Sequence, residues 1–218
     1  MTPLIKTLQK LSGAAAIAAL VVSAPLAVMP APVRAQAAAS ELNQAVAALR
    51  GISTMRADFV QTDRNGQSMR GVITLQRPGK IRFQYAPGIP MLVVSDGSAL
   101  TLIDYEVKQV QRWPIRNSPL GVLLDPNRDV SRYGKLQATN DPNVIAVEVR
   151  DRAHPEFGVI TLVFVRKAGA PGGLELSSWV ALDSQNKRTT VRLSNQQYGV
   201  VLAANAFRWK DPRVPTRR

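Results

Sequence analysis

The chain has 218 residues, with 28 Lys and Arg against 15 Asp and Glu, one His and no Cys. Without Cys there are no disulfides, no thiol chemistry and no Cys-type metal site. A formal net charge of +13 draws acidic partners such as nucleic acid, anionic lipid or acidic protein.

The chain opens with Lys6 and Lys10 and no acid, followed by an apolar run from Leu11 to Met29. Val33-Arg34-Ala35 offers a small-residue exit before Gln36. This pattern predicts a secretory signal peptide over residues 1–35. Ser12, Gly13, Ser23 and Pro25 interrupt the run and argue against a retained membrane anchor. No other stretch approaches the ~18 consecutive apolar residues that a span requires. Residues 36–218 are therefore expected as one soluble periplasmic domain, with 211–218 a loose basic tail. Removing the leader's Lys6, Lys10 and Arg34 leaves 25 basic against 15 acidic residues, or +10. An exported protein meets little nucleic acid. Anionic head groups or an acidic protein fit the charge better, with plain solvation as the competing explanation.

Ser40 is placed to cap a helix over Glu41–Leu49, and Gly51 to end it. Leu42, Ala45, Val46 and Leu49 form one apolar stripe. Thr54–Asp63 then alternates, with Met55, Ala57 and Phe59 on one face, and Asn65-Gly66 signals a hairpin. Gly71–Trp113 continues the alternation: Ile73 and Leu75 against Thr74 and Gln76, then Ile81, Phe83 and Tyr85 against Lys80, Arg82 and Gln84. Period-two patterning means strands with one buried face. The connections at Arg77-Pro78-Gly79, Pro87-Gly88 and Asp96-Gly97 are too short for crossover helices, so neighbours are antiparallel. The segment Asn117–Pro126 predicts a short helix with Leu120, Leu123 and Leu124 on one side. Alone it is unstable, so it must rest on apolar surface and can lift off at low cost. Strands resume at Val130–Leu136, Val144–Asp151, Gly158–Lys167, Leu174–Leu182 and Arg188–Gln197, with Phe207–Lys210 as a last candidate. The chain reads as mainly β: about ten or eleven antiparallel strands with two helices, curled into a barrel or half-barrel. Such a curl holds a cavity unless the helices fill it.

An enzyme reading does poorly. His154 stands between Ala153 and Pro155 in a predicted exposed loop, without a Gly-x-Ser-x-Gly nucleophile motif. Asp96, Asp104, Asp125 and Asp183 mostly sit where turns want Asp, which leaves a carboxylate-based hydrolase as a remote alternative. No metal cluster, P-loop or dinucleotide fingerprint is present, so no cofactor is expected. Arg77 is more informative, at the end of an alternating strand beside Pro78. Its guanidinium either bonds the carbonyls ending the Leu-rich helix, as a breakable closure, or is a solvated turn residue.

The run Arg56-Ala57-Asp58-Phe59-Val60-Gln61, then Gly71, then Gln76-Arg77-Pro78-Gly79-Lys80-Ile81-Arg82-Phe83, then Val94-Ser95-Asp96-Gly97 resembles the LolA family of periplasmic outer-membrane lipoprotein carriers. The resemblance extends from about Ser40 to Phe207-Arg208-Trp209. It implies an incomplete, half-open antiparallel β-barrel with helices as a lid over an apolar cavity. It places the lid-gating arginine at Arg77, cavity-bordering residues at Ile81, Phe83 and Leu49, and the second lid helix at Pro119–Leu124. Phe59, Ile73, Leu75, Leu102, Leu120, Leu123 and Leu124 complete the expected acyl-chain-binding set. The function implied is a non-enzymatic chaperone and carrier, acting as a monomer. It would take acylated lipoproteins from an inner-membrane lipoprotein-releasing ABC transporter and deliver them to an outer-membrane acceptor. A lipid- or lipopeptide-binding envelope-stress sensor of the same shape is the alternative. Two departures stand out: aliphatic residues where relatives often use aromatic ones, and a short basic tail.

Overall fold

The computed structural model describes residues 31–115, 119–125 and 132–213. An opening helix, α1 (Ala31–Gly51), precedes six strands: β1 (Thr54–Thr62), β2 (Ser68–Gln76), β3 (Lys80–Tyr85), β4 (Met91–Asp96), β5 (Ala99–Asp104) and β6 (Gln109–Pro114). The short helix α2 (Pro119–Leu124) follows, then β7 (Gly134–Gln137), β8 (Val144–Arg150), β9 (Val159–Arg166), β10 (Leu174–Leu182) and β11 (Arg188–Tyr198). All eleven strands form one sheet in the order β6-β5-β4-β3-β2-β1-β11-β10-β9-β8-β7. Every pairing is antiparallel. Two meanders are joined by one long-range seam, β1 with β11. β6 and β7 are the outer edges and do not pair, so the barrel stays half-open.

Register carries the alternation across the sheet. Met55, Leu75, Ile81, Ser95 and Leu100 lie in one row, and Ile73, Phe83, Val93 and Leu102 in the next. These rows define the concave face, because side chains two residues apart share a side. Phe59 pairs with Gly71, and a Cβ on Gly71 would stand 2.1 Å from the Gln84 carbonyl oxygen and 2.8 Å from the Phe59 ring. Glycine here lets β2 and β3 close up under the phenyl ring, which covers the bare backbone. Phe59 then meets Phe83 and Tyr85 edge-on, each at 5.3 Å.

α1 fills one side of the concavity. Ala45, Val46, Ala48 and Leu49 are buried, and Leu42 is partly buried against the same core. Gln44 Nε2 donates to the Gly172 carbonyl, and Arg166 donates to Gln44 and pairs with Glu41 at 3.0 Å. Ser40 is not its cap: the helix begins at Ala31, with Pro32 in the first turn. The Ala-rich run before Ser40 has high helix propensity and extends the helix back past a purely local capping signal. Its first turns include Val33-Arg34-Ala35, the expected exit of the leader. Residues 1–30 lie outside the described residues.

Two other expectations change. Residues 207–210 are not a strand. Ala206 N donates to Ala203 O and Arg208 N to Asn205 O, forming a turn. The segment instead straps the convex face, where Phe207 and Trp209 pack on Leu92, Val94 and Ile103 in a second small core. Arg82 Nη1 holds the strap by donating to the Arg208 carbonyl. Alternating apolar residues look alike whether they pair in a ladder or lie flat on another sheet. The strand expected from Val130 is the four-residue β7; Val130 itself, like Asn117, Ser118, Pro126 and residues 214–218 of the tail, lies outside the described residues.

Candidate functional site

The concave face is not packed solid. It encloses an apolar hollow of about 250 Å3. Leu49 reaches it from α1, and Ile73, Leu75, Ile81 and Phe83 from the β2–β3 hairpin. Leu120 and Leu124 cover it from α2, and Arg77 stands in its wall. Phe59 and Leu102, both expected there, do not line it. Phe59 is 1% exposed and backs the wall by carrying Phe83 on its ring. Leu102 shares Val93's row but sits one strand nearer the edge. The Leu123 side chain lies outside the described residues.

The far wall comes from the second meander: Ile160 and Leu162 on β9, Leu176 and Trp179 on β10, and Val191 on β11. Sequence reasoning missed these. Their alternation was legible, but nothing local said that β9–β11 would curl round to face β2–β5. That depends on the β1–β11 seam. Trp179 meets Phe83 at 6.0 Å across the hollow. Polar groups in the lining are few. Gln61 accepts a hydrogen bond from the Tyr85 hydroxyl at 2.8 Å, and burial pushes the Tyr85 phenol up from its ordinary range.

α2 is a lid six residues long. The Gly79 N–H donates to the Leu124 carbonyl at 2.9 Å, satisfying one acceptor at the helix end. Leu124, buried, and Leu120, partly buried, pack against the core beside the hollow. The loop beneath is tight: Gly79 has φ of 75°, and a Cβ there would lie 2.4 Å from Gly97 Cα.

Arg77 anchors this loop. Its amide donates to the Ser53 carbonyl at 2.8 Å. Its side chain is not the solvated turn residue of the simpler reading. Burial lowers its pKa to about 10, against the opposing influence of Asp125 just beyond α2. Its Nε is buried and without a hydrogen-bond partner. A cation in an apolar wall is costly to keep, and the Asp125 carboxylate offsets only part of that cost.

The carboxylates weighed for catalysis are largely committed to turns. Asp104 Oδ1 accepts from the Glu106 and Val107 amides, and Asp183 Oδ1 from the Gln185 and Lys187 amides. Burial pushes the Asp96 carboxyl up, but Ser98, the Ala99 amide and Arg112 outweigh it and hold it at about 2. His154 is exposed, with Nδ1 3.0 Å from Glu156.

Fold and site together define a class: half-open antiparallel barrels whose concave face encloses an apolar hollow beneath a small helical lid. Residues 50–210 match the family described as "Outer membrane lipoprotein carrier protein LolA". The chain belongs to that family. The outer-membrane lipoprotein carrier protein of Dechloromonas aromatica is 31% identical over 174 residues, 75% of this chain and 80% of the relative. That of Cupriavidus necator is 26% identical over 207 residues, 89% of this chain and 95% of the relative. Among solved structures, the LolA superfamily protein NE2245 from Nitrosomonas europaea aligns over 79% of this chain and 97% of its own, at 10% identity and a TM-score of 0.46.

Proposed function

We propose that this chain is a periplasmic carrier that binds the acyl chains of lipoproteins released from the inner membrane and delivers them to an outer-membrane acceptor. The observation that supports the reading most is the hollow itself: apolar, covered by a six-residue helix, with a half-buried arginine in its wall. An acyl chain gains ~0.8 kcal/mol per methylene on leaving water, on the order of 10 kcal/mol for a long chain. Crossing an aqueous space therefore requires a portable apolar cavity. At about 250 Å3 the hollow falls below the roughly 300 Å3 of ordinary ligand pockets. Raising α2 would enlarge it for cargo, and closure of α2 would then compete with cargo. An aliphatic lining suits release, because its contacts are non-directional.

The test uses the protein without its leader. It is mixed with inner-membrane vesicles holding a labelled lipoprotein and an energised lipoprotein-releasing ABC transporter. A soluble one-to-one complex is expected for the wild type. Phe83→Glu should abolish uptake, and Arg77→Leu should keep uptake but slow transfer to acceptor membranes. Recovery of free lipid without acylated protein would point to a lipid sensor, and no soluble complex at all would end the carrier reading.

A further inference from the structure

Beside the lidded hollow, and sharing Leu120, Ile160, Ala181 and Thr189 with it, lies a wider open vestibule of about 510 Å3. Its rim differs in character from the hollow. Trp113 and Phe157 stand on it 46% and 39% exposed, although large aromatic side chains normally bury. Trp113 pairs with Leu100 at the free edge of the sheet and so faces the concave side. Arg64, at the β1–β2 tip, and Lys187 and Arg188, at the β10–β11 tip, complete the rim and are all exposed. Among the described residues, none of these three cations forms an ion pair. Asp63, half-buried, and Asp183, exposed, share the rim, their Oδ1 atoms each accepting two amide hydrogen bonds of their own turns.

Two exposed aromatic rings among three cations that outnumber the rim's two carboxylates, around the mouth of an apolar cavity, have the composition of an interfacial anchor. Aromatic rings settle at the level of lipid head groups, and Lys and Arg meet lipid phosphates. We propose that the vestibule rim docks this protein on the surface of an anionic phospholipid bilayer, mouth down. An acidic protein would satisfy the cations, and aromatic rings occur at protein interfaces as well, but rings and cations together around the open mouth of an apolar cavity match the level of lipid head groups and acyl chains best. A bilayer satisfies both. The inference concerns the rim alone and holds whether or not the hollow carries acyl chains.

The test is sedimentation of the leaderless protein with vesicles of phosphatidylcholine alone and of phosphatidylcholine with phosphatidylglycerol, at low and high salt. Binding is expected only to the anionic vesicles and should fall with salt. Replacing the rim cations together (Arg64→Gln, Lys187→Gln, Arg188→Gln) should weaken partition about a hundredfold, at ~1 kcal/mol per basic residue near an anionic surface. The matched control removes three exposed cations from the convex face: Arg56→Gln, Arg70→Gln and Arg192→Gln. It should bind nearly as the wild type does. Brominated lipid should quench wild-type fluorescence more than that of Trp113→Phe, since Trp179 lines the hollow and Trp209 lies in the convex core. No binding at low salt would overturn the proposal and leave the rim to an acidic protein. Equal weakening by the convex control, or equal quenching in Trp113→Phe, would overturn it too.

Discussion

Arg77 carries its charge in an apolar wall at a cost. Its pKa falls to about 10 because burial penalises its charge more than Asp125 supports it. The sign follows from linkage. Below pH 10 both folded and unfolded chains hold the proton, and the burial penalty is present in full. Between pH 10 and the ordinary arginine range the folded chain releases its proton first, so this group's contribution to stability rises with pH. Tyr85 and Tyr198 act in the opposite direction. Burial raises both phenols, Tyr198 to about 12 with help from Glu175, so their contribution is complete below pH 10 and fades above it. The difference between wild type and Arg77→Met isolates the arginine. Urea midpoints should show the variant the more stable at pH 8 and the gap narrowing at pH 10.5; a constant gap would contradict the assignment. That Arg77 is either a breakable closure or a solvated turn residue was legible from its position before Pro78-Gly79. Its burial was not, because exposure at a strand end depends on what packs over it, and α2 arrives from forty residues further on.

Among the elements, α2 is the weakest. Six residues cannot hold a helix in water, so its stability comes from its seat, which among the described residues includes the backbone bond from Gly79 and the packing of Leu120 and Leu124. Removing a buried leucine from a rigid core costs about 2–5 kcal/mol. On a lid the loss is limited by the free energy of lifting the lid, because the rest of the barrel need not unfold with it. Leu124→Ala should therefore lower the melting temperature little. It should speed hydrogen exchange at the Gly79 amide, which is closed by the Leu124 carbonyl, while leaving the β1–β11 amides protected. A fall in protection across all strands would mean that α2 is part of the cooperative core. The sequence pattern placed this helix within Asn117–Pro126, because Pro starts and local breakers are short-range signals, and the family resemblance put it at Pro119–Leu124. It misjudged the start of α1, where high propensity carried the helix through a good cap.

On the scale of the whole molecule, two apolar layers flank the sheet, the large concave core and the small convex one under the C-terminal strap. Ending the chain after Val200 should expose Leu92, Val94 and Ile103, each now at most 4% exposed. The truncated protein should self-associate in size-exclusion chromatography while keeping its β-rich circular dichroism. A monomer with unchanged melting would show the strap to be dispensable. Strand number, antiparallel order and the first wall of the hollow were readable because alternation and short turns are local. The second wall and the strap were not, because each is fixed by a partner more than a hundred positions away.

The seam that joins Met55 to Tyr198 also sets when this protein can mature. Each meander can zip from its own hairpins, but the strand that unites them is the last one made. Ring closure over so long a span is entropically slow. A nascent chain therefore stays threadable until its final strand is available, and the greasy interior takes shape only then.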